Sequence, residues 1–314
     1  VAFERVKLGL ALGAGGARGL AHVGVLKALE RAGVRISFLA GSSAGAVVGA
    51  AYAVSGSAAE LERRFMEFLS TDAFKQAGVS VMHQAFQAKP VTLSERLNTW
   101  LKKAFIQAKI VSQAAVLEAE VFERLIAQFV PDVLIEDLPL PFQALGTDLN
   151  TGRAVVFKRG PLREALYASA AIPGVVRPLA RGDMRIVDGG VIHMVPVLPV
   201  RHMGADVVLA VDVEKFIDPG QDFSSAFDLF FRVEDVQSHY LKETELRQAD
   251  LVLQPKVGHI HWSDFGAASE MIRLGQDEVY ERLDQVRTLA RRRRLPWWLF
   301  SSPPPPPVRD WIEA

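Results

Sequence analysis

Gly41-Ser42-Ser43-Ala44-Gly45 sets a serine in the pattern G-x-S-x-G. The pattern alone is common in chains rich in glycine and serine. Its setting sharpens it: Ile36–Ala40 reads as a buried strand and Ala44–Val54 as a helix. A strand that turns sharply into a helix holds a serine at a strained bend above the sheet edge. The flanking residues must be small for the neighbouring backbones to pass, and Gly41, Ser42, Ala44 and Gly45 are small. Ser43 is then a candidate nucleophile, seated at the positive end of a helix. A plain glycine-rich turn before a helix is the competing reading.

A second glycine cluster, Gly13-Ala14-Gly15-Gly16-Ala17-Arg18-Gly19, follows the first apolar run and opens a helical pattern. A dinucleotide fold requires G-x-G-x-x-G at such a place. Counted from Gly13, Arg18 fills the last glycine position; counted from Ala14, the first glycine is missing. No acidic residue ends the next strand to hold a ribose, and no Gly-Lys-Ser/Thr follows as a phosphate loop would need. Backbone N–H groups at glycines and at a helix N-terminus suit another task, binding the oxyanion formed when a serine attacks a carbonyl. Ala14, Gly15, Gly16, Ala17, Arg18, Gly19 and Ala44 are the candidates for that task. Arg18 either braces the loop, meets a substrate phosphate or lies at the surface.

A serine nucleophile needs a base. Three aspartates, Asp148, Asp188 and Asp212, end or follow strand-like runs. Only Asp188 precedes two glycines, Gly189 and Gly190, which permit a sharp turn and close approach of another loop. Turn or cap roles are expected of Asp148 and Asp212. Of the histidines at 22, 83, 193, 202, 239, 259 and 261, none has a distinctive setting. His22 lies near the glycine loop and His193 five residues past Asp188; ordinary packing or surface roles are expected of all seven.

These residues need elements to position them. Lys7–Leu12 reads as the first strand, and further strands are expected at Phe142–Gly146, Ala154–Phe157, Met184–Val187, Val207–Val213 and Leu251–Leu253. Helices are expected at Leu20–Ala32, Leu162–Ala170, Ser224–Arg247 and Ala267–Arg294. Strands alternating with helices imply an α/β fold, a mainly parallel sheet flanked by helices. Ala58–Val130 reads as mainly helical, with stripes at Leu61, Phe65, Phe68, Leu69, at Leu93, Leu97, Trp100, Leu101 and at Val121, Leu125, Phe129. Phe74–Pro90 has weak periodicity and reads as a surface loop. The proline run Pro303–Pro307 sets residues 295–314 apart as a tail outside a domain of residues 1–294.

Composition narrows the classes. The 314 residues carry 36 basic and 36 acidic side chains, so no global field draws nucleic acid. With no cysteine, disulfides, thiolate metal sites and cysteine nucleophiles are excluded. No metal-binding loop and no cofactor motif is legible, and no apolar run is long enough to span a bilayer. No secretory signal is visible, although the chain starts at Val1, so a preceding leader stays open. The expectation is a cytoplasmic protein, with oligomeric state unread.

The ordered set Gly-Gly-Ala-Arg-Gly, Gly-Ser-Ser-Ala-Gly and Asp-Gly-Gly resembles the patatin-like phospholipases. Leu8–Val25 is especially similar to bacterial members and those related to neuropathy target esterase, and Ala168–Pro178 is also similar to theirs. The likeness covers about residues 7–213. It implies a Ser43–Asp188 dyad without histidine, an oxyanion hole in the loop Ala14–Gly19, no cofactor, and phospholipid or lysophospholipid substrates. Two departures stand out: Ala14 replaces a usual glycine, and His193 and Met194 stand where the family often has asparagines. The rivals are an acyltransferase using the same serine with a histidine, and a lipid-binding or tethering module without catalysis. Arg291–Arg294 beside Trp297, Trp298 and Phe300 suits peripheral membrane contact through residues 291–300; a basic helix end followed by packed tryptophans accounts for the same residues.

Overall fold

The structure is a computed structural model, and it describes residues 4–72, 74, 115–214, 217, 226–291, 293–294 and 311–314. Nine strands among these form one sheet: β1 (Leu8–Leu12), β2 (Phe38–Ser42), β3 (Phe142–Asp148), β4 (Arg153–Phe157), β5 (Leu179–Arg181), β6 (Met184–Asp188), β7 (Val207–Val211), β8 (Leu251–Leu253) and β9 (Ile312–Glu313). The order is β8-β7-β1-β2-β3-β4-β9. The ladders from β8 through β3 are parallel; β3 pairs β4 and β6 antiparallel, and β5 pairs β6 antiparallel. The expected mainly parallel sheet is present.

Fully buried strands of a parallel sheet read as continuous apolar runs. β1 (LGLAL) and β7 (VVLAV) are buried at every residue. Alternate side chains enter two cores. Leu8, Leu10 and Leu12 pack with α1 (Ala21–Arg31), α2 (Ala44–Ser55), α3 (Ala58–Ser70), α4 (Ala119–Phe129) and α5 (Leu162–Ser169). Ala11, Ala40 and Leu145 face the other way, toward α6 (Val197–His202) and Leu246 at the end of α7 (Ala226–Leu246). Two more helices, α8 (Ala268–Glu281) and α9 (Leu283–Ala290), complete the first layer. α1 and α8 cross nearly in backbone contact: a Cβ on Gly24 would lie 1.9 Å from the Ile272 carbonyl oxygen, and one on Gly275 would lie 2.0 Å from that of Ala21.

β3 acts as a ruler for the site. Its Leu145 pairs with Ser42, the last residue of β2, and its next residue, Gly146, pairs with Asp188, the last residue of β6. Two segments far apart in sequence therefore end at adjacent places along one strand.

Some expectations need correction. The helix expected over Ala267–Arg294 is two helices, because Arg282 (φ −107°, ψ 11°) leaves the helical region between α8 and α9. Residues 311–314 do not lie outside the fold. Trp311 is buried against His202 with ring centroids 4.4 Å apart, and β9 pairs in parallel with β4. A tryptophan gains more by covering a sheet face than by remaining in water, and β9 shields what would be an exposed edge. Short strands at Ala115–Leu117 and Gly174–Val176 pair with each other and were not expected. The stripe at Leu93–Leu101, the proline run, residues 75–90 and residues 292 and 295–300 lie outside the described residues. Among the described residues no helix is long and apolar enough to cross a membrane.

Candidate active site

Ser43 is the junction between β2 and α2. Its backbone (φ 54°, ψ −124°) is the single non-glycine positive φ among the described residues. Such strain persists only where the surroundings enforce it, and it clusters at functional sites. Here the enforcement is visible. A Cβ on Gly41 would lie 2.4 Å from the Gly45 carbonyl carbon and oxygen, and one on Gly45 would lie 2.3 Å from the Leu12 carbonyl oxygen. The Ser43 N–H donates to both the carbonyl oxygen and Oγ of Ser169, each at 3.1 Å. The Ala44 and Gly45 amides, at the start of α2, have no intrahelical acceptor.

Asp188 closes β6 beside this turn. Its N–H donates to the Ala171 carbonyl at 3.1 Å, so residues 169 and 171 hold the backbones of both Ser43 and Asp188. Its Oδ1 accepts the Gly190 N–H at 2.7 Å. Burial pushes the carboxyl up to about 6, opposed by the Ser43 hydroxyl and the Gly190 N–H. Oδ2 is buried without a hydrogen bond of standard geometry. The hydroxyl is thus close enough to favour the carboxylate yet not aligned with it, as resting catalytic hydrogen bonds often are. Ser43 and Asp188 are each only 5% exposed.

The glycine loop runs from β1 to α1 through a 3-10 turn, Gly16–Leu20. Most of its amides are committed. Gly13 donates to Val211 (3.0 Å), Ala14 to Met194 (2.9 Å), Ala17 to Trp262 (2.6 Å) and Arg18 to Gly15 (3.2 Å). The amides of Gly15 and Gly16 have no acceptor among the described residues. Gly19 sits against α2, where a Cβ would lie 2.5 Å from that of Ala44. The methyl of Ala14, the departure from glycine, points toward Gly190, where a Cβ would stand 3.0 Å from it.

Arg18 is buried. Its guanidinium donates to Glu214 at 2.6 Å and to the Gly15 carbonyl at 3.4 Å, which makes it a brace of the loop. His22 is fully buried, with Nε2 2.8 Å from the Gly13 carbonyl and Nδ1 unpartnered. Burial pushes it down to about 4, so near neutral pH it is uncharged and its Nε2–H donates to the loop. Asp148 accepts the N–H groups of Arg185 (2.9 Å) and Thr151 (3.2 Å) and the Thr151 hydroxyl (2.8 Å), a turn role. Asp212 is occupied by Lys242 (3.1 Å) and Gln254 (3.2 Å). Among the described residues no three His, Asp or Glu side chains converge as metal ligands.

A model of the patatin-like phospholipase family matches residues 10–201, which contain the loop, the elbow and the Asp188 turn. The chain belongs to the patatin-like phospholipase family. An uncharacterised NTE family protein of Mycobacterium tuberculosis is 37% identical over 207 residues, 66% of this chain and 49% of that protein. The mouse patatin-like phospholipase domain-containing protein 6 is 33% identical over 209 residues, 66% of this chain and 13% of that protein. The match therefore spans about half the length of the first mycobacterial relatives and 32% of others. VipD from Legionella pneumophila aligns over 90% of this chain and 67% of its own, at 14% identity and a TM-score of 0.46. ExoU, in complex with SpcU from Pseudomonas aeruginosa, aligns over 90% and 52%, at 18% identity and a TM-score of 0.39. Both scores lie below 0.5, so the family assignment stands on the sequence matches.

Several residues of this patatin-like site were missed or underread in the sequence. Ser169 lies in the Ala168–Pro178 block, whose sequence carries a family likeness but nothing that marks a serine bonded to the Ser43 N–H. His193 is neither a surface residue nor idle: its Nδ1 meets Glu245 at 2.5 Å, and its carbonyl accepts the Ser42 hydroxyl at 2.5 Å. No sequence signal marks Glu245, which lies 52 residues downstream in a helix without a motif.

Proposed function

We propose that this protein is a serine acyl hydrolase acting on phospholipid or lysophospholipid esters through a Ser43–Asp188 dyad. The observation that carries the reading is the strained Ser43 backbone beside a buried carboxylate pushed up to about 6. Asp188 takes the Ser43 proton as Oγ attacks the ester carbonyl. The Gly15 and Gly16 amides, aided by Ala44 at the start of α2, receive the oxyanion. A preorganised donor of this type contributes roughly 3–4 kcal/mol to the transition state. Ala14, Ala17, Arg18 and Gly19 shape and brace that loop. Collapse expels the alcohol, which takes the proton from Asp188. Asp188 then deprotonates water, which attacks the acyl-serine, releases the fatty acid and returns the proton to Ser43.

A fluorophosphonate probe tests this reading. Labelling of the wild type, absent in Ser43→Ala, together with fatty acid release from lysophosphatidylcholine vesicles, is the expected result. A folded wild type that takes up no probe and releases no acid would contradict it and favour a binding module.

A further inference from the structure

The last turns of α7 carry two side chains buried in this protein, Lys242 (1% exposed) and Glu245 (8%), three residues apart and so on one face. Each reaches one side of the site. The two carboxylate oxygens of Glu245 take different partners: Oε1 meets His193 Nδ1 at 2.5 Å, and Oε2 accepts the Val195 N–H at 3.0 Å. Glu245 thus grips both neighbours of Met194, whose carbonyl accepts the Ala14 N–H of the glycine loop. His193 makes two more bonds. Its carbonyl accepts the Ser42 hydroxyl, and its N–H donates to Gly189 at 2.8 Å, in the Asp188 turn. Residues 193–195 therefore touch the elbow, the loop and the aspartate turn at once. On the other side, Lys242 holds Asp212, whose Oδ1 accepts the Glu214 N–H at 3.0 Å, and Glu214 holds Arg18.

A buried ionic contact adds little stability compared with well-packed apolar residues, but its directional bonds enforce one geometry. We propose that Glu245 is a positioning residue, which through His193 and Val195 keys segment 193–195 between the nucleophile elbow and the glycine loop, with Lys242 keying the loop's other side through Asp212. This inference rests on the Ser43–Asp188 reading and gives His193, which bonds Gly189 and Ser42, a part in holding the Asp188 turn against the elbow. Glutamine at 245 can preserve both contacts, since its oxygen accepts the Val195 N–H while its amide donates to His193 in the other tautomer. Leucine preserves neither.

The test compares steady-state hydrolysis of a soluble acyl ester by wild type, Glu245→Leu, Glu245→Gln, His193→Ala and Val286→Ala. Rates are normalised to sites labelled by a fluorophosphonate, with Ser43→Ala as background. In Glu245→Leu, kcat is expected to fall about a hundredfold with KM within about twofold, as loss of alignment by about 1 Å can cost. Glu245→Gln should stay within about threefold of wild type. Val286→Ala, a core truncation in α9, should lower Tm and leave kcat unchanged, which separates positioning from general stability. A folded Glu245→Leu with wild-type kcat, or a Glu245→Gln as slow as the leucine variant, would overturn the proposal. If Glu245→Leu does not fold, His193→Ala decides: kcat reduced at least about tenfold at constant KM supports the proposal, and wild-type kcat overturns it. A wild type without Ser43-dependent turnover overturns the dyad reading itself, and this inference with it.

Discussion

At the scale of single residues, the role proposed for Asp188 links activity to pH. A base that must be ionised, with its carboxyl pushed up to about 6, gives kcat/KM an acid limb centred near pH 6 and following one proton. A limb centred near 4 would mean that burial does not act on this group. The same shift bears on stability. The folded pKa exceeds the unfolded value of 3.8, so the cost of ionising Asp188 is absent below pH 4, grows as pH rises through 4–6, and is full above 6. That cost is about 3 kcal/mol at most. Asp188→Asn should therefore be inactive yet more stable than wild type at pH 8, with the advantage gone at pH 3.5; urea melts at both values check this. The strain at Ser43 has its own signature: Ser43→Gly should be more stable than Ser43→Ala by about 1 kcal/mol, since glycine accepts φ 54° freely. Equal urea midpoints would show that the turn stores no strain. The turns that carry Ser43 and Asp188 were legible in the sequence because their constraints are local, small neighbours around a bend. Glu245 and Ser169 were not, because their meaning is a contact made across the fold.

At the scale of elements, the sequence patterns transferred well where burial is two-sided. The apolar runs of β1, β2 and β7 and the helix start at Ala44 fall within two residues of expectation. Patterning failed where pairing partners are distant and short. β5 (LAR) and β9 (IE) lack the continuous apolar run that marks the equally short β8 (LVL). The proline run suggested a tail, and periodicity had no means of revealing that Trp311 lies against His202 beyond it. Trp311→Ala should cost about 3 kcal/mol, from the usual cost of emptying a buried tryptophan site. An unchanged urea midpoint would show that residues 311–314 contribute nothing to the folded sheet. The ruler function of β3 also escapes a sequence reading, since it depends on the registers Ser42↔Leu145 and Asp188↔Gly146 together.

At the scale of the whole molecule, a zero formal charge leaves recognition to local features. The family match covers residues 10–201, from the loop through the Asp188 turn, whereas α7, which carries Lys242 and Glu245, follows it. The proposed dyad thus lies inside the matched segment and its proposed brace outside it. In this proposal one serine and one aspartate, without a histidine, perform the acyl transfer to water. Of the two histidines near the site, His22 donates to the loop and is pushed down to about 4, and His193 is held by Glu245. The most direct test is nitrophenol release from short- and long-chain acyl esters by wild type, Ser43→Ala and Asp188→Asn, with folding checked by circular dichroism. The account predicts turnover in the wild type and its loss, by at least about a hundredfold, in both variants. Turnover retained in Asp188→Asn but lost in Ser43→Ala would contradict it and turn attention to a histidine-assisted transferase.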